Sequence, residues 1–526
     1  MGIAIEHEKF PPYYQVLEVY ERNIVKMRRL LGIKDSPISS TAAKLDWIVD
    51  TRQIPSVLLP LKLSGFRVNA KIDVPPIGGG IAVVGDKIII ADRLYQFHIF
   101  NQTTKKIRSA SYPQLPNNRK SFLEWGKYSQ VELFRVHDIE YMDISGKSFL
   151  IVSHEFFDTN TKSTHLALHR LEINPRTLSS NGNWEQIFRS SALPVHADYF
   201  ANAAGGRIAI GRDKIFLSIG DYAKDGVFTK VKKPFPAQNR SSDFGSIISL
   251  SVKNWKASKI SYGHRNPQGL AFTFSGELIS TEHGPRGGDE LNLIKTGRNY
   301  GWPEVSFGTD YPTYSWPFSR KQGRHDGYEL PLFSWVPSIG VSNLIEIQNF
   351  DERWDGDLLV SSLKGASLFR LRRNDDNIVY SEPIWIGQRV RDLAQTKDSI
   401  VMWTDQSQLL FLSIDQKQLL DNKFLGIPTV SPKLSKCVVC HHFGKTTPSH
   451  AAPSLSNLVN RPVASDPGFN NYSDALKKLG GTWTRTRLTK LLTTPNSFAP
   501  GINMVIEPLA NLREVRHLIE ELERAK

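Results

Sequence analysis

Residues 436–444 read KCVVCHHFG, and Cys437 and Cys440 are the only two cysteines in 526 residues. A C-x-x-C pair followed directly by His is the signature of covalent haem attachment. The two thiols are spaced to add across the two vinyl groups of one macrocycle, and the imidazole beside them ligates the iron. On this reading Cys437 and Cys440 form thioethers and His441 is the proximal ligand. A redox dithiol or half of a zinc site uses the same pair. Zinc, however, requires further Cys or well-spaced His, and a thioredoxin-like motif sits in a βαβ pattern rather than behind a proline-rich linker. A thioether as sixth ligand raises the potential of such an iron. Of the five methionines only Met504, in APGINMVIEP, lies downstream of the attachment site; its alternative role is a core Met that fills a gap. His442 and His450 read as surface histidines, because His441 already completes the motif.

The sequence around this motif resembles the class I cytochromes c over nearly all of residues 431–526. HAAPSLSNLVNR is similar to their proline-bearing loop, NNYSDALKKLGGTWTRTRLTKLL to their middle helices and NLREVRHLIEELERAK to their C-terminal helix. The resemblance implies an all-α cytochrome c domain carrying haem c, over residues 426–526 with its linker.

A second constellation is spread over the middle of the chain: Arg265 and Asn266 in HRNPQG, Lys364 in SLKGASLFRL, and Arg389 and Arg391 in GQRVRDL. Taken singly, each cation is a solvated surface charge. Two long motifs change that reading. GHRNPQGLAF (263–272) and TEHGPRGGDELNLIKTGRNYGWPEVSFG (281–308) closely resemble the soluble PQQ-dependent aldose sugar dehydrogenases, the glucose/sorbosone dehydrogenase family of six-bladed β-propellers. PQQ carries three carboxylates and an ortho-quinone, and a guanidinium fork suits a carboxylate. The resemblance implies that Arg265 and Asn266 stand beside the quinone end, and that Lys364, Arg389 and Arg391 meet the carboxylates. It also implies calcium, a hard cation that takes carbonyls and carboxylates and polarises a quinone. The carbonyls of Gly284 and Pro285 would hold one ion at the cofactor, and Glu290, Tyr300, Ser306 and Asp310 match a second, structural site. The alternative for the second group is a turn-rich loop with a solvated Asp.

The resemblance breaks at the general base. The family has a histidine four residues before the Arg of a Gly-Arg pair, and in PVHADYFANAAGGRIAIG that position is Ala203, which accepts no proton. His196 or Asp198 in the same loop are substitutes by position, with His137 and Asp138 of RVHDIEY as further candidates. His196, whose alternative is an ordinary loop histidine, and Arg265 are the expected catalytic residues.

The elements that must position these residues are short. From 63 to 425 strand-like runs recur between Gly, Asp and Asn turns, as in GGGIAVVGDKIIIADRLYQFHIF and GGRIAIGRDKIFLSIGD, at intervals that suit four-stranded blades of 40–60 residues. Radial repetition of this kind gives a propeller; periodicity alone also allows a sandwich, though one of this length would be unusual. The expected fold class is mainly β, a six-bladed β-propeller followed by the all-α haem domain. Residues 1–62 read as an N-terminal extension with an amphipathic helix over 13–32.

Forty per cent hydrophobic and 22% charged residues mark an ordinary globular chain, and no apolar run reaches the ~18 residues of a membrane span. The net charge of +14 is dispersed, which argues against nucleic-acid binding and suits an acidic redox partner or an anionic cofactor. Thioether attachment of haem implies export, to the periplasm or otherwise, although MGIAIEHEKFPPYY shows no leader. Two functions follow. Either the propeller oxidises a sugar or other alcohol with PQQ and its own haem carries electrons to a downstream carrier, or a propeller without chemistry docks an electron-transfer haem domain.

Overall fold

The computed structural model describes residues 45–526 apart from 69–77, 126–133, 195–200, 311–313, most of 421–451 and a few further positions. The expected helix over 13–32, and His196, Asp198, Cys440, His442 and His450, lie outside the described residues.

Hairpins are set by turn chemistry. Between Val136–Ile144 and Lys147–Asp158, both turn residues, Ser145 (φ 51°) and Gly146 (φ 79°), adopt left-handed backbone, and such turns match the twist of antiparallel strands. Repeated hairpins make six antiparallel sheets, the blades of a six-bladed β-propeller. Blade 1 runs from Gly80–Val84 to Lys106–Ser109, blade 2 from Val136–Ile144 to Glu185–Arg189, and blade 3 from Gly205–Ile210 to Ala257–Tyr262. Blade 4 runs from Pro267–Phe272 to Phe333–Trp335 and blade 5 from Val341–Glu346 to Asn377–Trp385. Blade 6 is composite. Val390–Gln395, Ile400–Thr404 and Gln408–Ile414 are completed by Leu61–Val68, paired to Gln408–Ile414 from Leu61 opposite Ile414, with Leu45–Ile54 beyond it. Strand structure thus begins upstream of residue 63. Pairing the early strand with the last hairpin closes the ring and covers an edge that would otherwise template aggregation.

The first strand of each blade touches the first strand of the next, and Val390–Gln395 returns to Gly80–Val84. The core is correspondingly divided into wedges between successive blades. Ile88 and Ile90 pack with Val401 and Trp403 of blade 6, whereas Ile89 and Ala91 pack with Ile139 and Val152 of blade 2. Successive side chains point to opposite faces, and here both faces are buried. That is why KIIIA is a continuous apolar run rather than an alternating one.

In the tail the described residues include helices Asp474–Leu479, Arg485–Thr493, Pro495–Phe498 and Leu512–Arg524. Ser473 and Thr484 cap the first two by accepting from Leu476 N and Arg487 N. Val515, Leu518, Ile519 and Leu522 form the buried stripe of the last helix, packed on Leu488, Leu491, Leu492 and Trp483. The expectation of an all-α domain is met only in this coarser form, a few short helices with an isolated bridge between Pro462 and Thr482.

Candidate functional site at the propeller mouth and in the tail

In an up-and-down blade the chain enters the inner strand at one face and returns to that face at the turn between the second and third strands. Ala203, Arg265, Asn266 and Arg389 lie at inner-strand entries, and Arg391 is the second residue of its strand. Gly284 and Pro285 fall in the second-to-third turn of blade 4, Lys364 in that of blade 5 and Asp405 in that of blade 6. The topology thus brings residues from four blades to one mouth.

Below the mouth, all six inner strands meet in one buried polar network. The Arg207 guanidinium reaches Asp138 at 2.9 Å and Asp392 at 3.0 Å, and donates to the carbonyls of Gln268 (2.8 Å) and Arg391 (2.5 Å). Asn343 donates to Asp392 at 2.5 Å, and the Ile81 amide donates to its other oxygen at 2.8 Å. In five of the six blades the inner strand slips register with its neighbour at this level: Val136/Asp138, Gly205/Ile208, Pro267/Gly269, Val341/Leu344 and Val390/Asp392. A bulge re-aims a side chain, and here it turns Asp138, Arg207 and Asp392 into the axis. Burial raises the Asp138 carboxyl to about 7 against the pull of Arg207, with Asp392 adding to the rise.

At the mouth, Arg265 is half-buried. It donates to the His283 carbonyl at 3.2 Å and lies between the rings of Trp302 and Phe228, 5.3 and 5.8 Å from their centroids. Asn266 is buried, donating to Asn202 O and accepting from Gly205 N and from Gln268. Gln268 in turn accepts from Arg391 at 3.3 Å, so a hydrogen-bonded chain links the expected residues of blades 4 and 6. Arg391 is buried and forked onto Asp405 at 3.0 and 3.1 Å; Arg389, more open, uses only its Nε on the same carboxylate at 2.9 Å. Burial opposes ionisation of Asp405, but Arg391 and Arg389 outweigh it and hold the carboxyl below the usual range. Lys364 is exposed. Arg265, Lys364 and Arg389 therefore keep donors for an anion, from blades 4, 5 and 6, a donor set that fits a tricarboxylate. The described partners of Arg391 make it a strut that fixes Asp405 and Gln268.

The expected bases fare differently. Ala203 is buried at the end of the short turn Ala201–Ala203. His137 is buried against Glu155 at 3.0 Å, and Asp138 belongs to the axial network. Sequence reasoning missed Gln268, Asp405 and Asp221. The recurrence of a polar residue near the start of successive inner strands, in VHD, GGR, PQG, VSN and VRD, was a legible signal for the axis.

The residues matched to a second calcium site are all buried, each with its own protein partners. Glu290 meets His325 at 3.3 Å and Asn292 at 3.2 Å; the Tyr300 hydroxyl donates to Leu293 O at 2.5 Å; Ser306 accepts from Gly308 N, and the Asp310 amide donates to Ser315 O. Among the described residues no three His, Cys, Asp or Glu gather as a metal-binding group. Gly284 is held by its amide donating to Asp289 at 3.1 Å, in a turn so tight that a Cβ there would lie 2.2 Å from Gly287 O.

In the tail, the His441 amide donates to Cys437 O at 3.0 Å, one helical turn away. Its Nδ1 lies 2.7 Å from Pro453 O. A carbonyl only accepts, so Nδ1 donates, the contact that orients a metal-ligating imidazole. Cys437 and Met504 pack, half-buried, against the same apolar cluster. These residues fit haem attachment.

A six-bladed propeller with a cationic mouth defines the class of protein. Residues 142–411 match the glucose/sorbosone dehydrogenase family, and the chain belongs to it. It is 36% identical over 256 residues to an uncharacterised protein of Synechocystis sp., covering 44% of this chain and 60% of that one. It is 31% identical over 251 residues to an aldose sugar dehydrogenase of Escherichia coli, covering 46% and 66%. The chain thus spans less than two thirds of the length of these relatives. A crystal structure of soluble aldose sugar dehydrogenase from the same organism shares the fold, with a TM-score of 0.52 and 21% identity over 70% of this chain and all of that one. Separately, 87 residues are 41% identical to cytochrome c2 of Rhodomicrobium vannielii, 16% of this chain and 69% of that protein.

Proposed function

We propose that this chain is an exported quinoprotein dehydrogenase: a propeller, closed by Leu45–Ile54 and Leu61–Val68 and running to residue 425, that oxidises a sugar or other alcohol with PQQ, and a haem c tail (426–526) that passes the electrons to a downstream carrier. The observation that carries this reading is the set of underused cations, Arg265, Lys364 and Arg389, converging on one mouth from three blades. PQQ supplies a two-electron oxidant when bound. Arg265 and Asn266 orient its reactive end, Lys364 and Arg389 neutralise carboxylates that would be costly to bury unpaired, and Arg391 holds Asp405 and Gln268 behind them. The carbonyls of Gly284 and Pro285 would hold calcium beside it, and Glu290, Tyr300, Ser306 and Asp310 are the proposed second calcium group. His441 and Met504 would ligate the haem iron, and Cys437 and Cys440 would hold the macrocycle. Tethering the haem to the propeller raises the effective concentration of the acceptor.

The test is calorimetric titration with PQQ and calcium, followed by haem absorbance under a panel of sugars and alcohols. Binding that weakens in Lys364→Ala, together with substrate-dependent haem reduction, is expected. Absence of PQQ binding overturns the reading and favours the second one, a docking propeller, which the buried methyl of Ala203 at the base position supports.

A further inference from the structure

Ala203 leaves the expected proton acceptor missing, and the groups packed against it show what stands there instead. Residues 220–222 run alongside 203–204: Gly220 N donates to Ala204 O at 2.8 Å and Tyr222 N to Ala203 O at 3.0 Å. A Cβ on Gly220 would lie 1.9 Å from Ala203 O, so the two segments approach as closely as glycine allows. Asp221, between those two contacts, donates its amide to Arg265 O at 2.8 Å. It therefore joins the position of the missing imidazole to the arginine of the mouth.

The Asp221 carboxyl is buried. One oxygen accepts from Ala223 N at 2.8 Å and the other from Trp302 Nε1 at 2.6 Å, which leaves each an acceptor site. Asp225, four residues on, is also buried. Its Oδ1 accepts from Val227 N and Phe228 N at 2.8 Å each, while its Oδ2 has no hydrogen-bond partner among the described residues. An orphaned buried carboxyl oxygen is costly and calls for a role. Trp302 and Phe228, which hold these carboxyls by side chain and by backbone, are the same residues whose rings flank the Arg265 guanidinium.

We propose that the carboxyl pair Asp221 and Asp225 is the proton acceptor of this chain, with Asp221 taking the proton of the substrate hydroxyl in place of the histidine absent at position 203. This rests on the quinoprotein reading above. In the step, the substrate O–H bond breaks and its proton passes to the Asp221 carboxylate. The adjacent C–H bond breaks and its electron pair leaves as hydride to an ortho-quinone oxidant, which is reduced by two electrons as the carbonyl forms. The charged groups facing Asp221 are Asp225 from its own loop and Arg265 from blade 4. Burial and Asp225 push Asp221 up to about 7, against the pull of Arg265. A base of that affinity is matched to work near neutral pH.

The test uses the full chain. In the quinone-free protein, infrared difference spectroscopy across pH 5–9 should show protonated-carboxyl signal that titrates near neutrality, with the part due to Asp221 lost in Asp221→Asn while that of Asp138 remains. In the loaded protein, with a dye as acceptor, Asp221→Asn should lower turnover by about a hundredfold or more with PQQ affinity unchanged by calorimetry. Asp225→Asn should move the acidic limb of the rate profile to lower pH, since it removes the neighbouring charge that raises Asp221. Ala203→His in the Asp221→Asn background should restore part of the rate. Normal PQQ binding with unaltered turnover in Asp221→Asn, or no near-neutral carboxyl titration that depends on Asp221, overturns the proposal alone. No PQQ binding by the unsubstituted protein overturns the functional reading and the proposal with it.

Discussion

The guanidinium of Arg207, on blade 3, lies 2.9 Å from the carboxylate of Asp138, on blade 2, with both side chains fully enclosed on the propeller axis. The same guanidinium reaches Asp392 of blade 6, so one cation compensates two buried carboxyls and pins three blades together. Removing one partner from a buried ion pair is far more costly than replacing the whole pair, because the remaining charge is left without compensation. Arg207→Met should therefore destabilise the propeller by about 3–5 kcal/mol in urea unfolding. Adding Asp138→Asn to it should recover part of that loss. A single Arg207→Met that unfolds at the unsubstituted midpoint would show that the axial network is dispensable.

His154 and His264 are wholly buried, and burial lowers both to about 3, with His169 adding to the effect on His154. Both are neutral in the fold, whereas in the unfolded chain they protonate near 6.5. Their stabilising contribution is thus complete above that pH and is lost as pH falls toward 3, at about 1.4 kcal/mol per pH unit for each residue. Thermal unfolding of the propeller should fall steeply between pH 6.5 and 5, and His154→Gln should flatten the slope by about one proton's worth. An equal slope in both proteins would remove His154 from the acid response.

Asp405 accepts from both Arg389 and Arg391, and its carboxyl is held below the ordinary range. Asp405→Asn leaves Arg391 buried without its counter-ion, so a loss of about 3 kcal/mol or more is expected. It should also free Arg389 to swing, weakening PQQ binding in calorimetry. If PQQ instead binds more tightly, Asp405 competes with the ligand for the two arginines rather than orienting them.

Met504 packs on the cluster that also receives Cys437, one turn before His441. Met504→Ala should abolish the weak near-infrared band of sulfur–iron ligation and lower the haem potential, while PQQ binding in the propeller is unchanged. A band that survives the substitution assigns the sixth position to another residue, with His450 next to be tested.

What the sequence determined by itself was local. The C-x-x-C-H spacing was readable because both thiols and the imidazole lie within five residues. The turns and apolar runs named blades because hairpins pair neighbours. The long motifs at 263–272 and 281–308 likewise placed Arg265 and Asn266 at the mouth. The tertiary structure decided what depends on partners remote in the chain. Arg207 and Asp392 are 185 residues apart, and Arg391 and Gln268 are 123 apart. Whether Asp138 faces solvent, core or axis depends on a one-residue slip in register, and such a slip turns a side chain to the other face. The same holds for Asp221. In SIGDYAKDG it reads as a turn aspartate, and only the packing of that turn between Ala203 and Arg265 buries it beside Asp225, where desolvation gives a carboxyl the proton affinity of a base.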